Sequence, residues 1–228
     1  MKSNDNETTR QPCTIAHRRP RRLAAMLACV IMSGSLAAAI APDALIRDTT
    51  REVIGIVSAD PALRSGDAVR TLALIEEKVL PHFDFQKMTL LALGRYWHRA
   101  DEAQRSALVS GFRQLLVRTY SGALSQCVGR TVEVAAPTDR AGDIVRVKTR
   151  VTAPDAPPVA LDYMMYRTAD GWKVYDVSVE GVSLVTTYRS SFAAEVERGG
   201  IDGLIEALAL KNSQAPPGAR SARADVRG

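Results

Sequence analysis

WKVYDVSVEGVSLVTTYRSSF, residues 172–192, is the stretch that decides how this chain is organised. β-Branched and aromatic residues dominate 172–179, which reads as a strand. Gly181 lets the backbone turn without a Cβ clash. Beyond it Leu184, Val185, Tyr188 and Phe192 recur at helical spacing and form one apolar face. A strand running straight into an amphipathic helix gives a sheet a lid. Function then turns on what that lid covers.

Working upstream, the same period of two returns three times, in 131–135, 144–151 and 159–167. Pro- and Gly-bearing turns at 137–142, 153–158 and 169–171 separate the four strand candidates. Connections this short imply antiparallel neighbours. In the second strand Val145, Val147 and Val151 face one way, while Arg146, Lys148 and Arg150 face the other. Such a sheet is apolar on one face and wet on the other. In the third strand Leu161, Tyr163 and Met165 share a face, with Met164 and Tyr166 opposite.

Helical patterns flank the sheet. Residues 43–58 place Ile46, Val53, Ile54 and Val57 on one side, and Asp60-Pro61 ends the helix. A second helix follows Gly66 and stops at Pro81. Asp84 has the place of an N-cap for 85–93. Asp101 and Gln104 have the form of a capping box. The helix they start carries Leu108, Phe112, Leu115, Leu116, Thr119, Tyr120 and Leu124 on one broad face. After the lid, Gly199-Gly200 interrupts the pattern, and 201–211 is a further short helix. Helices, then a sheet, then helices make an α+β fold, not alternating βαβ.

The ends differ from the middle. Residues 1–22 are polar and finish in HRRPRR, and 23–41 are small and apolar. A basic segment, an apolar segment and an Ala-x-Ala ending describe a cleaved secretory signal, with cleavage after Ala39. Paired arginines point to twin-arginine export as an alternative route. An uncleaved anchor is the alternative outcome, since the apolar run approaches the ~20 residues that span a bilayer. Residues 40–211 then form one folded domain. The tail, 212–228, has almost no apolar content and is expected to be disordered. The formal net charge is +5, of which residues 1–39 carry +4 and 212–228 carry +2, so the middle is near −1. A near-neutral folded part argues against nucleic acid as a partner.

Catalytic signals are scarce. Cys13 and Cys29 lie in the leader and Cys127 stands alone, which excludes an intramolecular disulfide after cleavage and a Cys-x-x-Cys metal cluster. No metal and no cofactor are expected. His82 and Asp84 are near in sequence, but Asp84 is already explained as a cap. Asp176 lies in an otherwise apolar strand. It is either a base in a pocket or an acceptor for neighbouring backbone or for an arginine such as Arg189; the second reading is preferred. The richest signal is apolar: one sheet face and two amphipathic helices that can cover it, either as a plain core or around a ligand-holding cavity.

Taken in order, LPHFDF, LALGRYWHRA, EAQRSALVSGFRQLLVRTYSGAL, the opening stretch and GGIDGLIEALA resemble the MlaC-type family. These are the toluene-tolerance auxiliary proteins of lipid ABC transporters in Gram-negative bacteria. The resemblance covers about residues 43–211. It implies a curved four-stranded antiparallel sheet, NTF2-like, packed against a mostly helical part and enclosing an apolar cavity. It implies a periplasmic carrier of phospholipid, with no reaction and no cofactor. The implied partners are an inner-membrane MCE-domain ABC transporter and an outer-membrane lipoprotein–porin complex. Positions matching the family's cavity elements are Val147, Leu161, Met165 and Val174 on the sheet and Val182, Leu184 and Val185 at the lid. Tyr188 and Arg189 fix the lid or border the mouth. A hopanoid-associated carrier of the same family, and an NTF2-like isomerase or dehydratase using Asp176 or Tyr163, are the alternatives. The leader is longer and more basic than the family's, and the tail is Arg-rich.

Overall fold

A computed structural model describes residues 40–124, 128–154 and 156–214. The expected signal (1–39), Cys127 and the tail from 215 onward lie outside the described residues.

The first helix, α1 (Pro42–Ala59), starts on a proline, whose missing N–H costs nothing in a first turn. It buries Ile46, Val53 and Val57. Two short helices follow, α2 (Pro61–Arg64) and α3 (Ala68–Leu74), each with an aspartate cap: Asp60 accepts from the Ala62 N–H and Asp67 from the Arg70 N–H. The single helix expected up to Pro81 instead changes winding. It passes from α3 through a π-helical turn (Ile75–Val79) to a 3₁₀ turn (Leu80–His82) that contains Pro81.

Asp84 caps α4 (Phe85–Leu93), accepting from the Lys87 N–H at 2.8 Å. A 3₁₀ turn (Gly94–Arg99) leads to α5 (Glu102–Tyr120). Its capping box is complete: Gln104 N donates to Asp101 at 2.8 Å, and Asp101 N donates to the Gln104 side chain at 3.0 Å. The last helix, α6 (Leu184–Ser213), bends at Gly200, where φ is 70° and ψ −167°, a conformation essentially reserved for glycine. It runs past Lys211, the expected end of the domain. Asn212 is buried there and donates to the Gly111 carbonyl at 2.9 Å. Gly111 permits that approach, since a Cβ on it would stand 3.2 Å from the Leu208 Cβ.

The sheet is antiparallel throughout. Its strands are β1 (Thr131–Val134), β2 (Asp139–Ala141), β3 (Ile144–Ala153), β4 (Ala156–Thr168), β5 (Gly171–Val179) and β6 (Val182–Ser183). The order is β1-β3-β4-β5-β6, with β2 pairing beside β1 on β3. The four expected strands are the main ones, and the expectation of a four-stranded sheet is corrected by two short additions. β2 comes from the 137–142 segment, which reads as a turn because it holds Pro137 and Gly142. β6 comes from Val182-Ser183, which pairs with β5 at the end of the strand order; two residues are too few to show a period.

Register explains the opening stretch. Met165 pairs with Val174 but Met164 pairs with Asp176, so Tyr175 is an extra residue on β5. That β-bulge shifts the parity of the strand. Trp172 and Val174 before it therefore share a face with Val177 and Val179 after it. Among the described residues the largest core lies in the helical part. It gathers Met88, Leu93, Trp97, Leu108, Phe112, Phe192, Val196 and Leu204. Phe112 meets Tyr188 and Phe192 edge-on at 5.0 and 5.1 Å between ring centroids. No helix of the described residues is long and apolar enough to cross a membrane.

Candidate functional site

The apolar face of the sheet is only partly filled by packing. Against it lies a cavity of about 460 Å³. Its sheet wall is Val151, Val159, Leu161, Tyr163, Val177 and Val179. Its helical wall comes from Phe85 and Met88 of α4, Leu116, Val117 and Tyr120 of α5, and Leu184 at the start of α6. The turns around α3 add Ile75, Val79, Leu80 and Phe83. Among its lining residues Met88 is 1% exposed and Tyr120 is 41% exposed, so part of the lining is dry and part of it reaches water. Its polar lining residues are Tyr120, Ser121, Tyr163 and Arg130; Arg130 is the charged one.

A second chamber of about 200 Å³ lies under α1, lined by Leu45, Ile46, Val53, Ile54, His82 and Val174 among others. Val79, Phe83, Leu124, Val151, Leu161 and Tyr163 border both spaces, so they form the wall between them. His82 faces this chamber, and its pKa is lowered by burial and by the nearby Lys173 charge.

Phe83 holds its place through the backbone. It bridges Val174, and the next residue, Asp84, donates its N–H to the Val174 carbonyl at 2.8 Å. The Asp84 carboxylate has a second duty beyond capping α4, because the Tyr166 hydroxyl donates to it. That bond, with burial and the Asp84 charge, pushes the Tyr166 phenol up to about 12. Lys87 Nζ sits 3.4 Å from the Tyr166 ring centroid and 4.8 Å from that of Tyr175, the bulge residue. Asp84 thus pins α4 to the bulge rather than pairing with His82.

At the lid, Glu180 (φ 51°) and Gly181 (φ 81°) make a two-residue turn with both central residues left-handed. This is the hairpin geometry that matches strand twist, and it reverses β5 into β6. Ser183 then starts α6. Its hydroxyl accepts from the Thr186 N–H at 3.0 Å and donates to Asp176 at 2.6 Å. Asp176 also accepts from the Val185 N–H at 3.1 Å. Its carboxylate is occupied at the helix start, outside the cavity lining, and Arg189 is not its partner. Arg189 instead donates from Nε and Nη2 to the Leu91 carbonyl, at 3.2 and 2.9 Å, tying α6 to α4.

The residues singled out from sequence fall into four groups. Leu161 and Leu184 line the main cavity, and Val174 lines the second chamber. Val147, Met165 and Val185 are buried in solid packing, the first two under the sheet and the third among the helices. Val182 is 60% exposed and lines neither space. Tyr188 and Arg189 hold the lid down through Phe112 and Leu91. Sequence reasoning missed Phe83, Val79, Tyr120, Leu124 and Arg130, which come from turns and helix ends. Val177 and Val179 were discoverable, because the apolar positions of β5 change from even to odd numbers.

Fold and site together define an α+β protein with an apolar cavity between an antiparallel sheet and its covering helices. The family model described as MlaC protein matches residues 47–210, and the chain belongs to that family. An intermembrane phospholipid transport system binding protein MlaC of Haemophilus influenzae is 21% identical over 194 residues, covering 83% of this chain and 90% of that one. The toluene tolerance protein ttg2D of Pseudomonas putida is 24% identical over 168 residues, covering 72% of this chain and 77% of that one. A solved phospholipid-binding protein of Ralstonia solanacearum, in complex with a phospholipid, superposes with a TM-score of 0.71 at 34% identity. The match covers 76% of this chain and 98% of that one.

Proposed function

We propose that this chain is a periplasmic phospholipid-binding shuttle, carrying lipid between the outer and inner membranes for an ABC transport system. The observation that carries the reading is the cavity: about 460 Å³, walled among the described residues almost wholly by hydrocarbon. That volume falls within the usual ligand range of about 300–1,000 Å³. Each CH₂ withdrawn from water contributes roughly 0.8 kcal/mol, so acyl chains need no directional readout to be held. Side-chain movement at the Phe83 wall would join the second chamber to the first and lengthen the space for chains. The phospholipid complex of the Ralstonia solanacearum relative supports the ligand class. The partners proposed are an inner-membrane MCE-domain ABC transporter and an outer-membrane lipoprotein–porin complex, which would load and unload the cavity from its mouth.

Native mass spectrometry of protein purified from its own periplasm tests this. Bound phospholipid at near-full occupancy is the expected result. Protein that arrives empty, and stays empty after incubation with phospholipid vesicles, would overturn it. Leu161→Glu places a charge on the cavity wall and is expected to remove bound lipid, whereas Val182→Glu, at an exposed position, is expected to retain it.

A further inference from the structure

The part of the cavity lining that reaches water is chemically unlike the rest of it. Among the described residues, nineteen of its lining positions carry no charge, and the remaining one is Arg130. Arg130 stands directly before β1, whose first pairs are Thr131 with Thr152 and Val132 with Val151. It is therefore on the same sheet end as Val151 and Val159, and it lines the cavity together with the exposed Tyr120 and with Ser121. Met88 and Phe85, by contrast, line it from α4, where Met88 is buried. A ligand whose chains lie on the apolar lining would bring its polar head to Arg130.

A guanidinium at the border between hydrocarbon and water keeps its stem in the apolar wall and its charge in the wet part. Its planar fork matches the oxygens of a phosphate, and such charge-assisted bonds are stronger than neutral ones. Arg130 also interacts with its protein surroundings, and such contacts order the side chain.

We propose that Arg130 is the head-group residue of this cavity, receiving the phosphate of a diacyl lipid and selecting it over a neutral lipid with the same chains. This rests on the carrier reading above and deepens it: the chains supply affinity, and one cation at the mouth supplies class selectivity. A fatty-acid carboxylate offers the same guanidinium an anion, so the test must separate the two sources.

Delipidated protein is incubated with vesicles containing dioleoyl phosphatidylglycerol, dioleoylglycerol and oleic acid, and bound lipids are read by native mass spectrometry. The wild-type protein is expected to take phosphatidylglycerol ahead of both others. Arg130→Gln is expected to lower the phosphatidylglycerol-to-dioleoylglycerol ratio about tenfold, equal to about 1.4 kcal/mol. Arg130→Lys, which keeps the charge but not the planar fork, is expected to keep only part of the preference. An unchanged ratio in Arg130→Gln overturns the proposal and leaves the carrier reading standing. Dominant uptake of oleic acid assigns the mouth to carboxylates and also overturns it. Uptake of no lipid by the wild-type protein sinks the carrier reading, and this assignment with it.

Discussion

The two apolar regions of this molecule are built from the same residue types and do opposite things. Around Phe112, helices α4, α5 and α6 close on one another. Phe112 and Leu108 are fully buried, and three aromatic rings interlock edge-on. Across the sheet, Leu161, Val177 and Val179 are equally apolar and face space. Helices close on a core because their side chains interdigitate from several directions. A sheet face presents its side chains in one layer, and whether that layer is met depends on where the covering helices are anchored. Here the anchors are few: Asp84 on Tyr166 of β4 and on Val174 of β5, and Ser183 on Asp176 of β5, while Arg189 ties α6 to α4. The sheet face around Leu161, Val177 and Val179 is left open.

Truncation should separate the regions sharply. Phe112→Ala removes a ring with no room to collapse, and a loss of about 3–5 kcal/mol is expected in denaturant unfolding of delipidated protein. A loss near 1 kcal/mol would mean that the helical core is looser than described. Asp84→Ala comes next, since it removes both the cap of α4 and the acceptor of Tyr166. About 2 kcal/mol is expected, roughly one from each. If Asp84→Asn, which can keep the cap, costs as much as Asp84→Ala, the cap is not what matters. Leu161→Ala, at a wall that already borders a void, should cost only about 1 kcal/mol, well below the usual range for a packed leucine. A cost like that of Phe112→Ala would show that the cavity is filled in solution.

The smallest expected effect is on pH dependence. The Tyr166 phenol titrates near 12 when folded and near 10 when unfolded. A group with a raised folded pKa contributes stability that is fully present below the unfolded value and is lost as pH rises through the folded one. Stability should therefore fall between about pH 10 and 12. Tyr166→Phe should flatten that slope while leaving the rest of the profile in place. The measurement is the denaturant midpoint at pH 9 and at pH 11.

Much of the architecture was legible along the chain. Both well-formed cap signals, Asp84 and the Asp101–Gln104 box, bond as their spacing implies. The four main strands, the glycine break in the last helix and the preference for Asp176 as a hydrogen-bond acceptor were readable too. The site was legible only in part. Choosing the cavity wall from β5 needs the bulge at Tyr175, and a run such as VYDVSV does not announce which residue is extra. Val147 and Met165 carry the right polarity on the right face but lie where the sheet is covered, not where it is open. Val182 reads as the junction of wall and lid, and the hairpin turn carries its side chain outward.

Local rules act within a few residues, so the sequence alone determined the elements, their caps and their apolar faces. The void is a property of distances between elements far apart in the chain. Its lining brings residue 88 to residue 184, and residue 120 to residues 130 and 159. Polarity specifies that a side chain leaves water; it does not specify whether another side chain or a ligand meets it. Only the tertiary anchors decided that, by fixing where the helices meet the sheet and leaving hydrocarbon unmatched between them.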